Sequence, residues 1–183
     1  RHFEGKKGST THISCLDEMG NAASLTVSNG EGSAYVLPGT GIMLNNMLGE
    51  SALLPNGFHS WKENSRLSSM MSPTLVLDEM QDVELVCGTG GASRIPTVVA
   101  QLIHYCIDHK LPLQEAILKP RLHFEHNVLN LEPNLSPPQR LNSADEINQW
   151  SSQGMMFGGI HSIRNSKGNL EAVGDPRRGG VVA

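Results

Sequence analysis

The chain has 183 residues, of which 38% are hydrophobic and 17% are charged, and its formal net charge is −4. This length is enough for one domain with a hydrophobic core or for one subunit of a larger assembly. The slightly acidic balance disfavours non-specific binding to nucleic acid, because that activity needs a basic face. No apolar run approaches the roughly 20 residues that a transmembrane helix requires.

The amino-terminal part of the chain divides into a leader and a hairpin. Residues 1–9 are basic and polar, and we interpret them as a leader ahead of a domain at 10–183. Two strand-like segments follow, Thr11–Leu16 and Ala22–Val27, joined by a turn sequence rich in Asp, Gly and Asn. This pattern predicts a β-hairpin directly after the leader.

A long loop and a second strand pair come next. The stretch 45–72 lacks periodicity, and long loops inside compact domains are usually functional. The segments 74–77 and 83–87 then predict a second hairpin. Apolar residues at helical spacing predict a helix over 95–107, for which Ser93 is a plausible N-cap.

The remaining elements alternate between helices and strands. They are a short helix at 113–118, strands at 122–124 and 128–131, a helix at 143–152, and a closing strand pair at 156–163 and 170–173. Strands in adjacent pairs predict antiparallel sheets with helices packed outside, which places the chain in the α+β class.

The three cysteines do not suggest a disulfide framework. Cys15, Cys87 and Cys106 are an odd number at wide spacing, and each lies in an apolar run. We therefore expect three buried free thiols.

The first candidate for chemistry is Thr10, within the sequence Gly8-Ser9-Thr10-Thr11-His12. A threonine hydroxyl is a poor nucleophile until a base takes its proton. An N-terminal threonine carries such a base in its own α-amine, whose pKa is about 8. This function requires cleavage immediately before Thr10. The alternative is that Thr10 is an ordinary edge-strand or turn residue.

The second candidate is the serine pair Ser68-Ser69, whose hydroxyls can donate two hydrogen bonds to an anion; a solvated turn is the alternative. The third is the glycine-rich stretch 87–95, a predicted turn from a strand to a helix N-terminus, where free N–H groups stabilise negative charge. A phosphate loop would need a Gly-Lys-Ser/Thr sequence, which is missing, and the spacing does not fit a dinucleotide fingerprint. An oxyanion hole fits chemically, and a purely structural turn remains the alternative.

We expect no metal site and no cofactor. His123, Glu125 and His126 lie in one short segment, but three good ligands are not evident there. His104 and His109 are expected on or near the exposed face of the long helix.

Six short motifs together resemble the γ-glutamyltranspeptidase family of N-terminal-nucleophile hydrolases, along essentially the whole chain. In chain order they are Thr10-Thr11-His12, Asn45-Asn46, Leu67-Ser68-Ser69-Met70 with Ser72-Pro73-Thr74, Ser93-Arg94-Ile95, Pro120-Arg121-Leu122-His123 and Asp175-Pro176-Arg177.

The resemblance implies an αββα four-layer sandwich and a proenzyme that cleaves itself between Ser9 and Thr10. Residues 1–9 would then end the large subunit, and 10–183 would form the small, catalytic subunit of the heterodimer. It also implies transfer of a γ-glutamyl group from glutathione or a related amide to water or an amine, in the periplasm or outside the cell. Because the amine of Thr10 is bonded to Ser9 until the chain is cleaved, we expect this chain alone to be inactive.

The resemblance also implies roles for individual residues. Thr10 would be the nucleophile, Ser28 would replace a threonine that hydrogen-bonds it, and Gly91 and Ala92 would supply the oxyanion hole. In the substrate pocket, Asn29 and the pair Ser68 and Ser69 would lie at the substrate carboxylate, and Glu50 would bind its ammonium group.

One departure from the family pattern concerns the acyl group. Met47 stands where the family commonly has Glu or Gln, and it cannot replace a polar contact. Losing one hydrogen bond to a charged group costs about 1.5–3 kcal/mol, or about 10–100-fold in affinity. We therefore expect a weakened or altered γ-glutamyl preference. The alternatives are an acylase of the same family that acts on another amide, or an inactive structural subunit.

Overall fold

The computed structural model describes residues 10–137 and 146–183. The predicted leader at 1–9 and the first residues of the predicted helix at 143–152 lie outside this part of the chain. In chain order the strands and α-helices are β1 (Thr11–Leu16), β2 (Ala22–Val27), β3 (Thr74–Leu77), β4 (Val83–Gly90), α1 (Ile95–Ile103), α2 (Leu113–Leu118), β5 (Leu122–Glu125), β6 (Val128–Leu131), β7 (Glu146–Gln149), β8 (Gly159–Ser166) and β9 (Asn169–Val173).

The strands form three sheets. The β1–β2 hairpin is antiparallel, with Thr11 opposite Val27. The largest sheet has the order β3-β4-β8-β9 and is antiparallel throughout. The third has the order β5-β6-β7. Both predicted hairpins and the α+β class are confirmed.

The main core lies between α1, α2 and the four-stranded sheet. It consists of the buried residues Leu85, Cys87, Val98, Val99, Leu102, Cys106, Leu113, Ala116, Ile117 and Ile160. The predicted long helix is confirmed, as α1 continues through a π-helical turn at His104–Asp108. Among the described helices, none is both long enough and apolar enough to cross a membrane.

The helix predicted at 143–152 is wrong for its described part, because residues 146–149 form β7, parallel to β6. Only Ile147 and Trp150 are apolar in this segment, so a helix would have little surface to bury. The extended chain instead bonds β6 and the residue after it: Asn148 Nδ2 and Trp150 Nε1 both donate to Asn130 Oδ1, and the Gln149 amide donates to the Glu132 carbonyl.

Several other elements differ from the prediction in their ends or in their capping. β4 continues to Gly90, so part of the predicted glycine turn is strand. β8 begins at Gly159 because Met155–Phe157 form a 3-10 turn. Ser93 is not the N-cap of α1: a 3-10 turn at Ala92–Arg94 precedes the helix, Arg94 occupies the N-cap position, and no side chain caps the helix.

All three cysteines are free, and Cys87 and Cys106 are buried as predicted. The prediction is wrong for Cys15, which is exposed. Successive residues of a strand point to opposite faces, and Cys15 shares the outer face of the hairpin with Ile13, which is also exposed.

A buried charged cluster joins the end of the chain to the middle. It consists of Arg121, Glu132, Asp175 and Arg177, and both carboxylates are fully buried. Arg121 Nη2 donates to Asp175 Oδ2 at 2.6 Å, and Arg177 donates through Nε and Nη2 to Glu132 at 2.7 and 2.6 Å. Asp175 also accepts from the Ile160 amide. This cluster fixes the 3-10 turn Pro176–Arg178 against the sheets.

Replacing Glu132 with Gln is expected to destabilise the protein by about 3–5 kcal/mol, because the amide places donors against the donors of Arg177 and leaves this buried charge with only the longer 3.4 Å contact to Asp175. Urea unfolding gives the free energy. The matched control is Glu115→Gln, which breaks the exposed pair with Lys119 and should cost at most about 0.5 kcal/mol. Similar losses in both variants would contradict the importance of the buried cluster.

Candidate active site

A cleft of about 880 Å³ opens beside the start of β1. Its walls come from two 3-10 turns of the long loop, at Met47–Gly49 and Ser51–Leu53, and from the turn after β4, the segment after β7 and the carboxyl-terminal 3-10 turn. Its lining includes Thr10, Ser28, Gly30, Glu31, Asn46, Met47, Glu50, Ser69, Gly91, Ala92, Arg94, Trp150, Met155, Met156 and Arg178.

Thr10 and Ser28 meet at the open end of the hairpin. Thr10 precedes β1 and Ser28 follows β2, so the strand register that pairs Thr11 with Val27 places them opposite each other. Their hydroxyl oxygens are 2.8 Å apart. Ser28 Oγ also accepts from the Gly30 amide at 3.0 Å, which orients the serine hydroxyl. The predicted interaction between these two side chains is thus present in the structure.

The end of β4 approaches Thr10 so closely that only glycine fits. A Cβ atom at Gly90 would lie 2.7 Å from the Thr10 carbonyl oxygen and 3.1 Å from its Cβ. The sequence had indicated the neighbouring Gly91 and Ala92, and both line the cleft. Gly91 has a φ of +143° and Ala92 one of +49°, so Ala92 is in the left-handed region that strains a residue with a Cβ.

An acidic wall adjoins Ser28. A side chain at Gly30 would collide with Asn46 Oδ1 and Glu50 Oε1, so both oxygen atoms lie against this glycine. Asn46 Oδ1 accepts from the Glu31 amide at 2.7 Å. Burial, together with the negative charge of Glu31, raises the pKa of Glu50. Glu50 therefore lies where a cationic group of a ligand would relieve an unfavourable charge.

The cleft brings together six of the eight predicted site residues: Thr10, Ser28, Glu50, Ser69, Gly91 and Ala92. The other two, Asn29 and Ser68, are exposed and do not line it. The Asn29 carbonyl accepts from the amides of Gly32 and Asn46, so its backbone joins two parts of the loop. The roles of all eight residues remain predictions.

Several lining residues were not predicted from the sequence. Asn46 and Arg94 lie within the six sequence motifs, and Arg178 directly follows the last of them. No local sequence pattern identifies these three residues as part of a cleft. The cleft is also lined by Trp150, Met155 and Met156, which follow β7. The position of β7 depends on its pairing with β6, which no local pattern in the sequence indicates.

A smaller cavity of about 440 Å³ lies on another side of Thr10 and includes His12, His161 and Arg178. His12 is buried, with Nδ1 2.7 Å from Thr26 Oγ1 and Nε2 3.0 Å from Ser14 Oγ. Burial, and to a lesser extent the charge of His161, lowers the pKa of His12 to about 4. His12 is therefore neutral at pH 7 and supports the strand that carries Thr10.

The histidine segment of β5 has no metal-binding geometry of its own. His123 Nε2 is 3.6 Å from Glu125 Oε2, while His126 is exposed. Within 10–137 and 146–183, no group of three or more His, Cys, Asp or Glu side chains is placed to hold a metal ion. His104 and His109 are exposed, as predicted, with their Nε2 atoms 3.0 Å apart.

Comparison with known proteins gives consistent likenesses. The family model described as Gamma-glutamyltranspeptidase matches residues 3–183. A glutathione hydrolase proenzyme of Pseudomonas aeruginosa is 32% identical over 94% of this chain and 34% of its own length. The Acylase ACY 1 proenzyme of a Pseudomonas species is 35% identical over 70% of this chain and 23% of its own length. The chain thus spans about a third or less of these curated relatives.

A solved structure agrees with the sequence comparisons. The gamma-glutamyltranspeptidase of Pseudomonas nitroreducens complexed with L-DON superposes with a TM-score of 0.76 at 29% identity, covering 94% of this chain and 98% of the matched chain. This likeness confirms the fold class predicted from the sequence.

Replacing Ala92 with Gly is expected to stabilise the protein by about 0.5–1 kcal/mol, because relief of the left-handed strain exceeds the entropy cost of glycine. Chemical denaturation measures the change. The control is Ala100→Gly in α1, where φ is helical and the same substitution should cost about 1 kcal/mol. Destabilisation in both variants would show that Ala92 is not strained.

Proposed function

The chain belongs to the gamma-glutamyltranspeptidase family, and on that basis we propose that it carries out γ-glutamyl transfer and hydrolysis on glutathione or related γ-glutamyl amides, with Thr10 as the nucleophile. The observation that carries the proposal is the 2.8 Å contact between the hydroxyls of Thr10 and Ser28, at the edge of a cleft that also contains Gly91 and Ala92.

The first proposed event is self-cleavage before Thr10. The Thr10 hydroxyl attacks the carbonyl carbon of Ser9, the peptide bond breaks, and the chain before Thr10 is transferred to the Thr10 oxygen as an ester. Water hydrolyses this ester and leaves Thr10 with a free α-amine. The names of both curated relatives describe proenzymes, which supports a precursor that is processed.

The free amine then acts as the base for the second reaction. It takes the proton of the Thr10 hydroxyl, whose oxygen attacks the substrate carbonyl while Ser28 orients it. The N–H groups of Gly91 and Ala92 would stabilise the oxyanion. The substrate amine leaves with the proton and an acyl ester remains on Thr10. Water or a second amine attacks this ester, and the acyl group is released or transferred.

The acidic wall suits the charged end of a γ-glutamyl group. Glu50 and the Asn46 side-chain oxygen lie together against Gly30, where they would accept hydrogen bonds from the substrate ammonium. Ser69 lines the same cleft and would donate to the carboxylate. We propose Ser68 and Asn29 as further carboxylate contacts, although the cleft reaches neither side chain in this chain alone.

We also propose that a large subunit from the same precursor completes the enzyme. The outer face of the hairpin is apolar and exposed: Ile13 is 52%, Leu25 53% and Val27 46% accessible. Exposed apolar faces of this kind mark interaction surfaces. This exposed face supports a heterodimer. So does the coverage of the glutathione hydrolase proenzyme, since the chain spans only about a third of its length.

A second candidate function is acylase activity on a non-γ-glutamyl amide. Met47, Met155, Met156 and Trp150 make part of the cleft apolar, and an apolar acyl chain would bury surface there. The likeness to an Acylase ACY 1 proenzyme supports this alternative. Both functions use the same nucleophile, so substrate preference separates them.

In the full precursor, Thr10→Ala is expected to abolish cleavage before residue 10, because no hydroxyl remains to attack. Ser28→Ala should slow it about 2–10-fold through the loss of one neutral hydrogen bond. Intact-mass analysis over time follows both. The neighbouring variant Thr11→Ala, exposed on β1, should cleave like the parent protein. A cut that persists in Thr10→Ala would exclude Thr10 as the nucleophile.

Replacing Met47 with Gln is expected to raise the preference for a γ-glutamyl anilide over a butyryl anilide by about 10–100-fold, because it restores a hydrogen bond to a charged group. The unmodified enzyme should hydrolyse the two anilides at comparable kcat/KM, and Met47→Leu should leave the ratio unchanged. A strict γ-glutamyl requirement in the unmodified enzyme would show that Met47 does not weaken this specificity.

A further inference from the structure

Two arginine side chains, Arg94 and Arg178, line the same cleft as Thr10. Neither has a role in the binding of the γ-glutamyl group proposed above. The position of Arg178 is set by the close approach of the chain to Gly90. A Cβ atom at Gly90 would lie 3.1 Å from Arg178 Nη1 and also 3.1 Å from Thr10 Cβ. The guanidinium group is therefore beside the nucleophile.

The structure makes room for this arginine. Gly90 and Gly159 are partners in the β4–β8 register. A Cβ atom at Gly159 would lie 2.5 Å from Arg178 Cγ, so the aliphatic part of the side chain passes over a strand pair that lacks side chains at this point. The preceding residue, Arg177, is held by the buried cluster, and this fixes the backbone from which Arg178 extends.

Arg178, which is half-buried, differs in its partners from the buried arginines. Arg121, Arg164 and Arg177 each bind a carboxylate within 3 Å. In the described part of the chain, Arg178 makes no ion pair within 4 Å, and its buried Nε has no hydrogen-bond partner. Arg94 uses Nε for the Met156 carbonyl at 3.1 Å, and its remaining donors have no partner among the described residues.

The two guanidinium groups also repel each other. Burial, and then the charge of Arg94, lowers the pKa of Arg178, and the nearby charge of Asp175 opposes this only in part. Burial likewise lowers the pKa of Arg94 against the attraction of Glu125. Two half-buried cations without a bound anion are costly, and a carboxylate placed between them would relieve both burial and repulsion.

We propose that Arg94 and Arg178 form a subsite for a carboxylate on the amine half of the substrate, so that the preferred acyl donors are γ-glutamyl peptides with a free C-terminal carboxylate. This inference rests on the proposed function. In that function Glu50 and Ser69 take the ammonium and carboxylate of the γ-glutamyl group, so the charge left for the arginines belongs to the leaving amine. The planar guanidinium of Arg178 suits such a carboxylate because it can donate two parallel hydrogen bonds.

In this role Arg178 is a specificity residue and takes no part in proton transfer. It binds the peptide before the acyl group moves to Thr10, and it binds an amino acid or peptide acceptor in the same way when the acyl group moves on. Substrates without the carboxylate still react, but they lose this binding contribution.

The test compares two γ-glutamyl dipeptides that differ only in their C-terminus, a free carboxylate or a carboxamide, with the processed two-subunit enzyme. The unmodified enzyme should show a kcat/KM about 10–100-fold higher for the carboxylate, the range expected for charged hydrogen bonds. Arg178→Gln should lower kcat/KM for the carboxylate far more than for the carboxamide, so that the preference is lost, and Arg178→Lys should retain part of it. Arg66→Gln, an exposed arginine of the long loop, is the matched control and should change neither rate.

Two results would overturn the subsite alone: equal turnover of both dipeptides by the unmodified enzyme, or an equal loss for both in Arg178→Gln, which would indicate a structural role. If the unmodified enzyme forms no acyl-enzyme on Thr10 with either dipeptide, as judged by intact mass, the proposed function fails, and the subsite with it.

Discussion

The arrangement of the site depends on the buried cluster of Arg121, Glu132, Asp175 and Arg177. Charges of this kind are stable in an interior only when each is paired and fully hydrogen-bonded. Here the pairing joins Arg121, before β5, and Glu132, after β6, to the two charged residues that follow β9. The Arg121 amide also donates to Glu132, and the Ile160 amide at the start of β8 donates to Asp175. Arg121 also donates to the Phe157 carbonyl, beside the methionines of the cleft.

A second constraint is the close approach of three strands around Thr10. The hairpin register brings Ser28 to Thr10, and β4 packs so tightly beside them that Gly90 cannot carry a side chain. Functional groups held by strand ends are positioned more accurately than groups on free loops. Thr10, the proposed nucleophile, is thus positioned by backbone pairing, while most of the cleft walls come from loops, which tolerate sequence change.

The sequence predicted those parts of the fold that depend on local patterns. Alternation and turn residues indicate β1 and β2, and helical spacing indicates α1, because these signals arise from near neighbours. β7 was missed because its stability comes from pairing with β6, about 18 residues earlier in the chain. Six of the eight predicted site residues line the cleft, but Arg178 was not predicted, because its position depends on the distant buried cluster.

The left-handed φ of Ala92 has a consequence for the dynamics of the turn. Rotation of the peptide plane between residues 91 and 92 would return Ala92 to a negative φ and would turn its N–H group to the other side of the chain. Relief of the backbone strain at Ala92 therefore requires its N–H group to change direction. The methyl group of Ala92 makes the left-handed form less favourable and so favours the rotated form. If the Ala92 N–H group binds an oxyanion as proposed, the bound anion would favour the unrotated form.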